Sequence, residues 1–217
     1  MAAIFIACNA QPPKSSFDTS KLDESPELVI ETSAGNITVK LYKETPLHRA
    51  NFLKLASTGY FDGVIFHRVI EKFMIQTGDP DSRNPQAGKM YGTGSPGYTV
   101  PAEIIPGLYH KRGALAAARN DNPEKASSGS QFYIVQGEIC PPELLEQLTA
   151  EQGIAFTPEQ KETYAKVGGA PWLDGGYTVF GEVTEGMDVV DKIAAVQKGQ
   201  YDRPLQDILI VKISPKR

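Results

Sequence analysis

The apolar residues of this chain come in short runs, and Gly or Pro cuts off nearly every one. Glu27-Leu-Val-Ile-Glu-Thr32 and Asn36-Ile-Thr-Val-Lys-Leu-Tyr42 alternate apolar and polar residues around Ser33-Ala34-Gly35, the pattern of a hairpin with one buried face. More runs follow at Val64–Phe66, Phe73–Ile75, Tyr98–Val100, Gly113–Leu115, Phe132–Val135, Tyr177–Phe180 and Ile208–Ile213. Twenty glycines and 16 prolines leave little room for a helical bundle. About eight short strands are best served by closure, which removes exposed edges. The expectation is a mainly β fold, a closed eight-stranded antiparallel barrel capped by two helices. Thr45-Pro46 supplies an N-cap and a first helical residue for one of them, which runs through Leu47, Phe52, Leu53 and Ala56 and stops before Gly59. The other spans Met187 to Ala195, with Val189, Val190 and Ile193 on one face.

A chain of 217 residues suits one domain, placed here at 27–217. Residues 139–170 break the strand pattern. Pro141 to Leu148 reads as a helix, and Thr157-Pro-Glu-Gln160 opens a second with a capping box, so a helical insertion on the barrel is expected. Residues 9–26 are polar and aperiodic and read as a flexible tether. Residues 1–8, Met-Ala-Ala-Ile-Phe-Ile-Ala-Cys, resemble the tail of a lipoprotein signal that ends at a lipid-acceptor Cys8. That reading predicts a membrane-anchored or periplasmic lipoprotein. The alternative is a frayed apolar N-terminus on a cytoplasmic protein.

A net charge of -4 with no Lys/Arg block gives no nucleic-acid footprint. His48, His67 and His110 lack metal-ligand spacing, and Cys8 and Cys140 form no C-x-x-C pair, so no metal is expected. His67 is expected as a buried, hydrogen-bonded core residue and Cys140 as an inert thiol. Gly92-Thr-Gly94-Ser-Pro-Gly97 matches a dinucleotide fingerprint in letters only, because no strand precedes it and no helix follows.

Two segments exceed what packing requires. One runs from Phe66-His67-Arg68 through Phe73-Met74-Ile75-Gln76-Thr77-Gly78-Asp79. The other is Gly129-Ser130-Gln131-Phe132-Tyr133, followed later by Trp172-Leu173-Asp174-Gly175 and Val179-Phe180-Gly181. In order and spacing these blocks resemble the cyclophilin family of peptidyl-prolyl isomerases, over the chain from near Glu27 to its end.

The resemblance implies catalysis of X-Pro bond rotation in proline-containing polypeptides, with no cofactor. It places Arg68 and Gln76 in catalytic positions and Phe73, Met74, Tyr133 and Leu173 around a proline pocket. It places Ala118, Arg119 and Gln131 in an adjoining peptide groove, with Trp172 and Tyr177 also as contacts. Such a role suits Arg68 physically, since a guanidinium is always charged and can donate to the prolyl nitrogen of a twisted amide. The chain departs from the familiar pattern at Arg119, where Asn is common, and at Tyr177, where His is common. Tyr133 replaces a common Phe and is expected to add a hydroxyl at the pocket wall. The resemblance also names a cyclosporin-like ligand as a partner, whose affinity these replacements would alter. A module that grips proline-containing peptides without turnover remains an open alternative at this point, favoured by the 139–170 insertion.

Overall fold

A computed structural model describes residues 17–217. Chain order runs β1 (Glu27–Thr32), β2 (Gly35–Leu41), α1 (Pro46–Ser57), β3 (Arg68–Ile70), β4 (Met74–Thr77), β5 (Thr99–Val100), β6 (Ala114–Ala117), β7 (Ser127–Ser128) and β8 (Phe132–Val135). It continues with α2 (Pro142–Gln152), α3 (Pro158–Lys166), β9 (Val179–Glu185), α4 (Met187–Ala194) and β10 (Ile210–Pro215). Eight of these strands form one curled antiparallel sheet in the order β10-β1-β2-β9-β6-β8-β4-β3, while β5 and β7 pair separately. At the two ends of the sheet, backbone just before β3 meets backbone at the start of β10. Gly63 N–H donates to Ile210 O at 2.8 Å, Ile210 N–H to Val64 O at 2.9 Å and Phe66 N–H to Ile208 O at 2.9 Å.

Strand alternation divides the apolar residues between two faces. Val69, Ile75, Leu115 and Ile134 point inward with Leu28, Ile30, Ile37 and Val39, and α1 and α4 add Phe52 and Ile193 to this core. Met74, Ala114, Ala116, Tyr133 and Val135 point outward and form a second cluster with Phe73, Trp172 and Leu173. Strands β6 and β8 are therefore buried at every position. That explains why they read as continuous apolar runs rather than as an alternation.

Helix α1 begins where expected, but Thr45 does not cap it. The capping carboxylate comes from a distant loop. Glu103 accepts from Leu47 N–H at 3.0 Å and His48 N–H at 2.9 Å, and lies 2.7 Å from His48 Nδ1. An anion at a helix N-terminus satisfies free amides and the helix dipole together, so it displaces a neutral hydroxyl from that role. Thr157 does form its capping box with Gln160, and α2 ends on left-handed Gly153.

Residues 17–26 carry a short turn of 3-10 helix at Thr19–Lys21, and Phe17 and Leu22 rest against the core. Cys8, the expected lipid acceptor, and the rest of 1–16 lie outside the described residues. Among the described residues no helix is long and apolar enough to cross a membrane. Replacing Glu103 by Ala strips two helix amides and the His48 imidazole of their acceptor. We expect a loss of about 2–3 kcal/mol, read as a lower urea midpoint at unchanged slope.

Candidate active site

The outward cluster ends at a cavity of about 450 Å³. Its position follows from strand register. Arg68 on β3 lies opposite Gln76 on β4, and Gln76 lies opposite Tyr133 on β8, so the three side chains share the outer face. Phe73, Met74 and Leu173 give the cavity apolar walls, and Ala118, Arg119, Gln131 and Tyr177 also line it, as expected.

Arg68 is 43% exposed, and its Nε lies 3.8 Å from a carboxylate oxygen of Asp202, itself 46% exposed. A pair this long and this wet holds the guanidinium only weakly and leaves it open to a ligand. Gln76 donates from Nε2 to Gln131 Oε1 at 3.1 Å. Gln131 in turn spends both its N–H groups, donating to Gly92 O at 3.0 Å and Gly94 O at 2.8 Å. Its amide thus brackets the 92–94 loop to the sheet. The loop's own N–H groups point the other way. Gly92 and Gly94 donate to Asp79 Oδ2 at 2.5 and 3.1 Å, and Asp79 is fully buried. A side chain at position 94 would meet Asp79 at 2.0 Å, so this approach requires Gly. Gly92, the first of the fingerprint-like glycines, lines the site.

Tyr133 turns its hydroxyl away from the role expected of it. The hydroxyl lies 3.0 Å from His110 Nε2, and His110 Nδ1 lies 2.8 Å from Asp174 Oδ1. With Nδ1 protonated toward the carboxylate, Nε2 accepts a hydrogen bond from the phenolic O–H. Burial raises the Tyr133 hydroxyl well above the ordinary tyrosine range, so it stays a neutral donor to His110. Asp174 Oδ2 also accepts from Tyr164 of α3 at 2.7 Å. The Tyr133 ring faces the cavity while its polar tip is tied beneath.

Arg119 donates from Nε to Gly176 O at 2.8 Å, and its guanidinium carbon sits 4.8 Å from the centre of the Tyr177 ring. It is a cross-link between two loops at the cavity edge. Trp172 stands apart from the other expected contacts. It packs on Phe73 with ring centres 5.6 Å apart, and it does not line this cavity.

Several lining residues were not legible as such in the sequence, among them Met90, Tyr91, Tyr201 and Asp202. They arrive on loops far from the motif blocks, and only the fold brings them in. His67 is buried as expected, yet neither ring nitrogen has a hydrogen-bond partner, contrary to the expectation of a satisfied core histidine. Cys140 is a buried free thiol, raised in pKa chiefly by that burial.

The model of the cyclophilin type peptidyl-prolyl cis-trans isomerase family matches residues 27–214. The chain belongs to this family. As a cyclophilin it is an isomerase of X-Pro peptide bonds. It is 39% identical over 189 residues to a Staphylococcus saprophyticus protein provisionally named a peptidyl-prolyl cis-trans isomerase, covering 86% of this chain and 90% of that one. It is 40% identical over 191 residues to a Streptococcus pyogenes protein provisionally named a bifunctional phosphatase and peptidyl-prolyl cis-trans isomerase. There the match covers 87% of this chain but only 38% of the longer protein. Among solved structures, a Cryptosporidium parvum cyclophilin type isomerase superposes with a TM-score of 0.65 at 25% identity, covering 89% of this chain and 98% of the other. A structure of the same type from that organism, determined in the presence of the dipeptide Ala-Pro, superposes with a TM-score of 0.63 at 25% identity, covering 88% and 99%.

Burial pushes the His67 imidazole of this cyclophilin down to about 4; the Arg68 charge adds to the effect and Asp79 opposes it. The unfolded chain takes up this proton near pH 6.5, whereas the folded chain waits until about pH 4. Stability attached to His67 is therefore intact above pH 6.5 and is lost as pH falls from there toward 4. Between pH 7 and pH 5 the loss from this residue is about 2 kcal/mol. Urea unfolding of wild type and His67→Asn at both pH values reads it as a flatter pH dependence in the variant.

Proposed function

We propose that this cyclophilin accelerates X-Pro rotation in folding polypeptides by letting Arg68 donate a hydrogen bond to the prolyl nitrogen of a twisted amide. The observation that carries this reading is the half-exposed guanidinium of Arg68 at the edge of a cavity walled by Phe73, Met74, Tyr133 and Leu173. Rotation about the peptide bond meets a barrier of about 18–20 kcal/mol because resonance is lost at the twisted geometry. There the nitrogen lone pair is localised and accepts a hydrogen bond that the planar amide does not. A donor placed for that geometry alone lowers the barrier without tightening the ground state. One preorganised charged donor supplies about 3–4 kcal/mol, against about 5.5 kcal/mol for a ten-thousandfold acceleration.

The remaining residues hold the substrate. The apolar walls take the proline ring, and the Gln76 amide, oriented through Gln131, meets the substrate backbone beside Arg68. The C. parvum neighbour prepared with Ala-Pro supports a dipeptide-sized occupant. No proton leaves the substrate, so no base is needed. The fold reading extends in the same way. We read the curled sheet as a closed barrel, a reading that the 63–66 to 208–210 contacts support, and 139–170 as an insertion upon it. A cyclosporin-like ligand would occupy the same cavity, where Arg119 and Tyr177 alter its contacts.

Arg68→Ala should lower kcat/KM on a short X-Pro peptide by about 100- to 1,000-fold. Peptide affinity should stay within a few-fold, and Arg68→Lys should fall between. A protease-coupled assay beside fluorescence anisotropy measures both. A near wild-type rate in Arg68→Ala would sink this role, and wild type that binds peptide with no rate would favour a binding module.

Attachment through a lipid on Cys8 also belongs to this proposal, supported by the apolar run before that residue. Intact-mass spectrometry of native full-length protein should show the lipid on Cys8, and an unmodified thiol there would end the idea.

A further inference from the structure

A second concavity, of about 500 Å³, lies behind the first, on the far side of the segment 172–177. That segment is a wall one chain thick. Leu173 and Tyr177 line the first cavity, while Trp172, Asp174, Gly175 and Gly176 line the second. Arg119 lines both and pins the ridge between them through its bond to Gly176 O and its stacking on Tyr177. The opposite walls come from Ile104, Ile105 and Leu108 before β6 and from Ile154 in the α2–α3 connection.

The lining is mainly apolar, and several of its polar groups are already committed. Lys125 Nζ donates to Gly175 O at 2.7 Å, and Asp174 holds His110 and Tyr164. The walls are also tied to one another. Gln160 Nε2 donates to Pro106 O at 3.1 Å, and Tyr109 and Thr163 hydroxyls meet at 3.0 Å. A groove held in this way exists before its ligand arrives, so binding spends little on ordering it. Its size falls within the ~300–1,000 Å³ of ligand pockets.

We infer that this groove takes an apolar side chain of the same polypeptide whose X-Pro bond occupies the first cavity. The inference rests on the isomerase reading of that cavity. Continuity selects the occupant. A polypeptide leaving the first cavity must cross or skirt the Arg119–Gly176 ridge, and beyond it the surface offered is apolar and concave. A wall one chain thick is roughly 5–10 Å across, which two to three residues of extended chain span at about 3.3–3.6 Å each. The α2–α3 pair then acts as a specificity element. Prolines with a large apolar residue two to four positions away are preferred over prolines in polar surroundings.

The test uses the full chain and a set of X-Pro peptides carrying Leu, Phe or Ala at two, three or four positions on either side of the proline. Both kcat/KM and Kd are measured. At one placement the Leu or Phe peptide should exceed the Ala peptide by about tenfold in at least one of the two. The ratio should fall to near one in Ile154→Arg and in Ala155→Arg, the second being an exposed position that tolerates the change if the first does not fold. A ratio near one in wild type at every placement overturns the inference, as does a ratio that survives in the folded variants. Absence of turnover on every peptide with the Kd ratio intact would count against the isomerase reading and for the groove.

Discussion

The cross-strand register of β3, β4 and β8 is the constraint on which the rest of the molecule depends. Arg68 opposite Gln76, and Gln76 opposite Tyr133, place a charge, an amide and an aromatic ring on one outward face. The intervening residues Val69, Ile75 and Ile134 enter the inner core. A slip by one residue would exchange the two sets and turn the guanidinium into the inner core. Core formation and site assembly are thus one event: the packing that drives the sheet to curl also fixes which side chains it presents.

Two carboxylates, Asp79 fully buried and Asp174 partly so, extend this order to the loops. Asp79 collects the amides of Gly92 and Gly94, and Gln131 collects their carbonyls, so the loop is gripped from both sides. Asp174 accepts from His110 and from Tyr164, which links the cavity wall at Tyr133 to α3. Each carboxylate is engaged by hydrogen bonds, the condition under which a charge tolerates burial. These ties hold the cavity and the neighbouring groove in fixed relation, and rigid walls let a small site discriminate geometry in an amide that differs only by rotation.

The sequence disclosed the parts of this arrangement that local chemistry dictates. The hairpin, the proline-started helices and the Thr157 capping box depend on near neighbours, and they appear where the pattern places them. The matched blocks carried Arg68, Phe73, Met74 and Gln76 because they fall close together in sequence, on the paired strands β3 and β4 and, for Phe73, in the turn between them. Long-range pairing was not legible. Glu103 replaces Thr45 as the cap of α1 from a loop remote in sequence, and nothing near either residue announces it. β3 was missed because three residues cannot show a period. Tyr201 and Asp202 reach the cavity from the segment before β10, and only the tertiary fold brings them there. The burial of His67 is readable from its apolar neighbours, whereas the want of a partner for its ring is not.

The central claim is that Arg68 acts on the rotating amide and contributes little to holding the planar one. NMR line-shape analysis of an isotopically labelled X-Pro peptide separates these, since it resolves the on-enzyme interconversion rate from the dissociation rates of the cis and trans forms. The account predicts that Arg68→Ala slows interconversion of the bound peptide by about two orders of magnitude while both dissociation rates stay within a few-fold of wild type. Unchanged interconversion with faster dissociation would contradict it and make Arg68 a binding residue.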